Sequence, residues 1–517
     1  MRRRVKEDKP DADKKHQEKS EAVRGDQGVI WSWRAVTIVI AVILLAFAVT
    51  LGVNVHQLRS MHDEQMKMLQ QQTTQTKILF QVKMTHLRHV FGVLERLGYE
   101  AVENNASTTW HLLWAHDYPF HAWSQQLRVL RPNQKVNHFP GTGYVTTKVT
   151  LATSGGLHIP PAFRVPEDKE KLLQYSAAHP NAVFVEKNND HRSVQLRALN
   201  EIDLEASRGS FLQEFVSRPL LISGHKFDIG VYTVITSVDP LRIYKYQGDV
   251  LFRFCLEAYE PFNASNTAQY VIGEDYLPAW QVPALKVYTD LGYSRLDAFD
   301  AHIRDIGKDP RDIWRQVDDA ISAVYLKKEK LFSDLVAKYR SRRSFFEMVR
   351  FDFIVDDELR VYLLEANMSP NLSSMHYPPN ALLYEQVLYS LLTLVGVSTY
   401  IQHPRDAQLS REARDMVAAE LNLMVYPEQC SACESCNQSL HCQLCKPCLS
   451  ADAMTDLRLA YLEHINRNRC KRIWPPPMSQ DEGGKSLANI PSNLTQRNEL
   501  MLLWFRGKCL LDRTWCQ

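Results

Sequence analysis

Hydrophobic and polar positions divide the chain into stretches of different pattern. Residues 1–29, MRRRVKEDKPDADKKHQEKSEAVRGDQGV, are charged throughout with almost no large apolar side chain, which predicts a disordered leader. Ala35–Val53 then runs without a charge, long enough to cross a bilayer, so a transmembrane helix is predicted over 35–55. Trp31, Trp33 and Arg34 lie where an interfacial belt would sit. A cleaved signal peptide is the rival reading, since Ala46-Phe47-Ala48 resembles a cleavage site; the long basic leader and the continuing apolar run favour an uncleaved anchor. Residues 56–97 place Leu58, Met61, Met68, Ile78, Val82, Leu87, Val90, Leu94 and Leu97 among glutamines, which predicts a helical stalk open to self-association. From residue 98 to about 400 the pattern becomes globular, and 430–517 forms a cysteine-rich tail.

Within the globular stretch the period-two pattern is clearest at the end. FFEMVRFDFIVDDELRVYLLEANMSPNLS predicts strands Phe346–Val355 and Arg360–Asn367 around the acidic turn Asp356-Asp357-Glu358. An even-numbered loop sets Val355 opposite Arg360 and Asp352 opposite Leu363. Asp352, Glu365 and Asn367 then share one face, while Phe351, Phe353, Val355, Leu364 and Ala366 face a core. Two carboxylates and an amide oxygen on one surface suit Mg²⁺ and phosphates; a hairpin with solvated acids is the plain alternative.

Earlier elements add cations. Asn137-His138-Phe139-Pro140-Gly141 predicts a turn, with Lys148 entering a helix. Ala182–Asn189 is a short apolar strand that ends on Lys187, either a snorkelling surface lysine or a phosphate neutraliser. Phe211–Phe254 predicts several strands, with Lys226 and Asp228 alternating against Phe227 and Ile229. Arg253 stands among apolar neighbours, so either an ion pair or an anionic ligand is implied. Arg311–Arg340 and Ala381–Val397 predict amphipathic and apolar helices. Net charge over 517 residues is only +2, which gives no global reason to expect nucleic acid. The excess of basic residues before the anchor predicts a cytoplasmic N-terminus and a luminal or extracellular body. Sequons at Asn105, Asn263, Asn371, Asn437 and Asn493 fit that side, although another falls on Asn367.

Together, WHLLW, NHFPG with Lys148, FVEK, QEFVSRPLLISGHKFDIGVYTVI, PLRIYKY with Arg253, and RFDFIVDDELRVYLLEANMSPNL resemble the tubulin-tyrosine ligase-like family over roughly Val90 to Val397. The likeness is greatest to its membrane-anchored invertebrate members, classed as tubulin polyglutamylases. The resemblance implies an α+β, ATP-grasp-like domain, here between a single N-terminal transmembrane helix and a cysteine-rich C-terminal module. It implies an ATP- and Mg²⁺-dependent carboxylate–amine ligase that adds glutamate to side chains of a protein acceptor, tubulin in the family. Carried over by position, Lys148 and Lys187 would hold ATP phosphates and Gln213 would sit at the adenine. Lys226 and Asp228 would line the nucleotide and acceptor site. Arg253 would stabilise the acyl phosphate or its tetrahedral successor, and Asp352, Glu365 and Asn367 would bind Mg²⁺. Such chemistry gathers several anions, which preorganised cations must neutralise.

Three departures stand against the family pattern. NNDHRSVQL replaces a glycine-rich loop after Lys187, the KFDxR pattern ends in Gly230 rather than arginine, and NTAQYVIGEDYLPAW contains no HLTN segment. The expected basic surface for an acidic tubulin tail is also missing from the helices. In the tail, Cys430-x2-Cys433-x2-Cys436 and Cys442-x2-Cys445-x2-Cys448 precede Cys470, Cys509 and Cys516. This spacing reads as zinc sites in a reducing compartment and as disulfides in a lumen, which the topology favours; the odd number leaves one cysteine free, intermolecular or paired with Cys255. Three functional readings remain open: a glutamate-adding ligase acting on tubulin, a catalytically impaired pseudoenzyme, and a luminal ligase with another protein acceptor.

Overall fold

The computed structural model describes residues 28–72, 77–80, 87–102, 110–187, 195–204, 211–398, 416–478 and 493–517. The charged leader up to residue 27, the loop 188–194 and the sequon at Asn105 lie outside them.

Helix α1 (Gly28–Gln72) belongs to a unit of its own. Its Ala35–Gln65 stretch is, among the described residues, the one helix long and apolar enough to cross a membrane. The second unit begins at Thr74. Here part of the predicted stalk takes other forms. Lys77–Phe80 is strand β1, running parallel to β2 (Glu100–Val102) and β3 (Leu112–Trp114), with β4 (Lys135–Val136) beyond β3. Helix α2 (Arg88–Arg96) buries Val90, Val93 and Leu94, so that stripe packs into the body rather than along a stalk.

The short helix α3 (Lys148–Ala152) leads to a second, antiparallel sheet of β5 (Ala162–Arg164), β6 (Phe184–Lys187), β7 (Gln195–Arg197) and β8 (Phe211–Glu214), ordered β5-β8-β6-β7. Phe163, Leu172, Phe184 and Leu212 form its small core.

The third sheet is organised on β10 (His225–Val238), which follows the two-residue β9 (Leu221–Ile222). β10 pairs with β11 (Leu241–Tyr246) at its far half and β12 (Leu251–Phe254) at its near half. β13 (Leu277–Pro278) extends that edge, and β14 (Glu347–Val355) followed by β15 (Val361–Asn367) extends the other. Alternation explains why both faces are covered. Phe227, Ile229 and Val231 pack in one core with Ile313 and Val317 of helix α4 (Pro310–Leu326). Tyr232 and Val234 pack in another with Leu388 and Leu391 of helix α6 (Asn380–Leu394), which comes after α5 (Glu329–Val336). The helix predicted over Arg311–Arg340 breaks at Lys327-Lys328, and Phe332 of α5 stacks on Tyr325 with centroids 5.7 Å apart.

The hairpin register differs from the sequence expectation. Val355 opposes Val361 and Phe353 opposes Leu363, but Asp352 opposes Glu365. One extra residue, Leu364, is therefore bulged out of the ladder. Leu363 turns into the core and gives its N–H to the His158 carbonyl, 2.7 Å away, while Leu364 faces the cavity beside Glu365. Asp352 and Glu365 still share a face, because the bulge restores the parity that the wider turn, with Val355 opposite Val361, would otherwise have lost.

The tail carries a core of its own around Leu457, Met501, Trp504 and Phe505, built on helices α7 (Ala451–Ile465) and α8 (Gln496–Leu511). Between these helices, β16 (Cys470–Trp474) pairs with β11 and so extends the main sheet. The tail cysteines form the disulfides Cys430–Cys445, Cys433–Cys442, Cys436–Cys448 and Cys509–Cys516. Cys255 and Cys470 are free thiols, both buried.

Candidate functional site

The site lies where the near end of the third sheet faces the second sheet. Its floor begins with the turn before α3. The Asn137 side chain accepts from the Ala115 N–H and donates to the Ala115 carbonyl, each at 2.8 Å. The buried His138 Nδ1 meets Glu347 Oε1 at 2.6 Å, and the Phe139 N–H donates to Glu347 Oε2 at 2.8 Å. Gly141, at φ +88°, makes the bend that follows. A loop fixed at so many points carries little freedom, and Lys148 at the start of α3 comes within 3.4 Å of Glu365 Oε1.

Two further lysines enter from other elements. Lys187, on the last residue of β6, donates to Gln213 Oε1 of β8 at 2.7 Å. Lys226 of β10 is buried, donates to the Tyr270 carbonyl at 2.8 Å and lies 4.8 Å from the centre of the Phe215 ring. Burial depresses both ammoniums to about 8. For Lys187, Glu365 partly offsets that effect while Lys226 and Lys148 add to it. Each is held by a neutral oxygen, an arrangement poised to gain from an arriving anion.

Carboxylates and guanidiniums form the opposite wall. Arg253 on β12 is directly across from Asp228 on β10 and binds it twice, Nε–Oδ1 at 3.0 Å and Nη2–Oδ2 at 2.6 Å. The same Nη2 reaches Asp352 Oδ2 at 3.0 Å. Arg350, two residues from Asp352 on β14, binds it through Nε–Oδ1 at 2.7 Å and Nη2–Oδ2 at 2.9 Å. Asn367 Nδ2 donates to the same Oδ2 at 3.1 Å. Burial alone would raise the Asp352 carboxyl, but Arg350 and then Arg253 outweigh it and hold it below the usual carboxylate value. Burial pushes Asp228 the other way, against the pull of Arg253.

Lys148, Lys187, Gln213, Lys226, Asp228, Arg253, Asp352 and Glu365 thus line one cavity, with Val185, Phe211, Phe215, Ile272, Ile354 and Leu364 as its apolar wall. Apolar walls with converging lysines fit a nucleotide triphosphate. The fit to a divalent cation is narrower. No group of three His, Cys, Asp or Glu side chains suited to a metal occurs among the described residues. Asp352 spends its oxygens on two guanidiniums and an amide, which leaves Glu365 and the amide oxygen of Asn367. That suits a Mg²⁺ ion held mainly by phosphate oxygens and water, not an all-protein cage. Asn367 is half-buried and bonded to Asp352, so its sequon belongs to the site; Asn263, Asn371, Asn437 and Asn493 are exposed.

All nine residues singled out in the sequence therefore gather at one cleft, Asn367 joining through Asp352. Sequence reasoning missed Arg350 and the His138–Glu347 pair. Arg350 had a usable signal, since period two puts residues 350 and 352 on the same face of a strand. His138 and Glu347 had none, being brought together only by the fold.

A profile of the tubulin-tyrosine ligase family matches residues 127–406. The chain is 38% identical over 442 residues to the probable tubulin polyglutamylase ttll-15 of Caenorhabditis elegans, covering 83% of this chain and 84% of that one. It is 27% identical over 306 residues to a tubulin monoglutamylase of Mus musculus, covering 56% of this chain and 25% of the relative. It is 26% identical over 289 residues to the tubulin polyglutamylase ttll6 of Danio rerio, covering 51% and 36%. The chain thus spans most of the first relative and only a quarter to about a third of the other two.

Proposed function

The chain belongs to the tubulin-tyrosine ligase family, and on that premise we propose that it is an ATP-dependent carboxylate–amine ligase that adds glutamate to side-chain carboxylates of a protein acceptor. The observation that carries this reading is the convergence of Lys148, Lys187 and Lys226 with Arg253 and Glu365 on one apolar-walled cleft. ATP supplies the phosphoryl group that activates the acceptor carboxylate for attack by the amine of glutamate. Lys148 and Lys187 neutralise phosphate, and Gln213 orients Lys187 beside the base. Lys226 and Arg253 stand where negative charge develops during the transfer, Arg253 aimed by Asp228. Glu365 and the amide oxygen of Asn367 would hold Mg²⁺ together with phosphate oxygens, and the ion would neutralise charge on the phosphates. With Gly230 in place of an arginine, the grip on substrate carboxylate differs from that of a tyrosine-adding enzyme, so glutamate and not tyrosine is the expected co-substrate.

The test offers tubulin and other acidic proteins to the purified chain with ATP, Mg²⁺ and labelled glutamate. Label should enter an acceptor and vanish with Glu365→Ala or Lys187→Ala. Absence of both ATP turnover and ATP-analogue binding would replace this reading with a pseudoenzyme.

A second observation bears on the acceptor. Four disulfides and four exposed sequons suit an oxidising compartment, as does a basic leader held in the cytoplasm by a single-pass anchor. The acceptor is then a luminal or extracellular protein rather than cytosolic tubulin. Protease added to sealed microsomes should spare the body, and a glycosidase should increase its gel mobility. A protease-sensitive, unshifted body would return tubulin to reach.

A further inference from the structure

Gly230 lies on β10 directly opposite Asp352 on β14. Its φ is outside the left-handed region, so backbone conformation does not require glycine here. Space does. A Cβ at this position would stand 3.0 Å from Arg350 Cδ, 3.3 Å from Asp352 Oδ1 and 3.3 Å from Leu251 Cβ. The stem of Arg350 fills the room that a side chain at 230 would need. From that seat its guanidinium turns back along the sheet to grip Asp352 with two parallel bonds.

We propose that Arg350 is a positioning residue of the cleft: from the neighbouring strand its stem fills the space above Gly230, and its guanidinium fixes Asp352 as an anchor for Arg253 and removes that carboxylate from metal ligation. The proposal rests on the nucleotide-binding reading for its ligand only; its geometry stands apart from it. An ionised carboxylate offers about four acceptor positions. Asp352 accepts four bonds, three crowded on Oδ2 from Arg350, Arg253 and Asn367 and one on Oδ1 from Arg350. Two guanidiniums at this distance also repel a divalent cation. Arg350 is buried and is not one of the residues lining the cavity, whereas Asp352 and Arg253 are. Its influence on a ligand therefore passes through them. Lysine cannot replace it, because only the planar fork binds both oxygens at once. The room that a side chain at 230 would take is thus filled by the stem of an arginine from a different strand, whose guanidinium holds Asp352 and does not face the cavity, and the two positions are coupled: a large side chain at one demands a small one at the other.

The experiment is a relocation cycle on the full chain, with Gly230→Arg, Arg350→Gly and the double variant. Two quantities are read: the urea midpoint, and the affinity for a non-hydrolysable ATP analogue with and without Mg²⁺. Each single variant should lower the midpoint, Gly230→Arg by crowding and Arg350→Gly by leaving Asp352 short of partners. Arg350→Gly should bind the analogue about tenfold more weakly without Mg²⁺ and show a steeper gain when Mg²⁺ is added, because Asp352 becomes free to ligate it. The double variant should recover both midpoint and affinity to within a few-fold of the native chain. Arg350→Lys should keep the midpoint but lose most of the Mg²⁺-free affinity. A double variant no better than the worse single one, or an Arg350→Gly chain with unchanged binding and Mg²⁺ dependence, would overturn the proposal. If the native chain binds no analogue, the proposed function fails, and the urea cycle still decides: additive losses refute the coupling and recovery supports it.

Discussion

Two buried ion networks lie at opposite ends of the same sheet, and they differ in what is left over. At the far end, Arg242 binds Glu463 of α7 through Nε at 2.7 Å and Nη2 at 2.9 Å, and Thr236 and Tyr244 donate to the same carboxylate at 2.9 and 3.2 Å. Arg342, Arg343 and Arg497 similarly surround Asp456. Each carboxylate there is gripped by one or more guanidiniums, and the network joins the tail to the body. At the near end, Arg253 and Arg350 are matched by Asp228 and Asp352, but Lys187 and Lys226 are held by neutral oxygens beside an open cavity. The same residue types serve cohesion where carboxylates are enclosed by guanidiniums, with Arg472 closed off by the Trp515 carbonyl and the Phe505 ring. They serve recognition where cations held by neutral oxygens face an open cavity.

The comparison is broken most forcefully by removing one partner from the matched network. Glu463→Ala leaves Arg242, Thr236 and Tyr244 buried without their acceptor, a loss of about 3–5 kcal/mol in stability. Urea unfolding measures it. Nucleotide affinity of the folded fraction should stay within about twofold, since no wall of the cavity is touched. If affinity falls in step with stability, the two networks do not act separately.

The converse substitution belongs to the cleft. Lys226→Met removes a charged hydrogen-bond donor from the place where phosphate or carboxylate should arrive. A charge-assisted bond is worth roughly 1.5–3 kcal/mol, so affinity for an ATP analogue should fall about ten- to hundredfold. Stability should hold or rise, because a buried ammonium depressed to about 8 is a cost to the folded chain. Titration calorimetry and thermal unfolding on one sample separate the two effects. A variant that loses stability but not affinity would make Lys226 structural.

Much of this contrast was legible in the sequence, and the illegible part has physical causes. Alternation on a strand identifies which residues share a face, so Lys226 with Asp228 and Glu365 with Asn367 could be read directly. The bulge at Leu364 could not, because Leu363 and Leu364 are both leucines, so exchanging which of them faces the core leaves no trace in the apolar pattern of β15. The seating of Arg350 over Gly230 depends on register between strands far apart in the chain, which no local pattern encodes. The same holds for β16, whose apolar residues gave no sign that they would pair with β11. Cysteine spacing allowed zinc or disulfides, and the nested pairing of Cys433–Cys442 within Cys430–Cys445 follows from how the short helices Pro427–Ser431 and Leu440–Gln443 bring them together. Spacing did not say which tail cysteine is the odd one; the fold leaves it to Cys470, buried on a strand and not paired with Cys255.

The finest test of the contrast is its dependence on pH. Lys187 and Lys226 sit at about 8 in the folded chain, because burial penalises their charge. In the unfolded chain a lysine titrates near ~10.4. Between these values the unfolded chain binds more protons, so the two lysines make ligand-free stability rise with pH across that window. An anion in the cleft reverses the balance, since it favours the charged form and draws both lysines upward. Affinity should therefore be fullest below pH 8 and fall above it, by about tenfold per lysine between pH 7 and 9. The matched network has no such lysine, so the Glu463→Ala chain should show the native profile at lower stability. Lys226→Met should lose one lysine's share of the slope and keep the other. A flat affinity profile from pH 6.5 to 9 would mean that neither lysine meets the anion, and the distinction between the two ends of the sheet would then rest on the arginines alone.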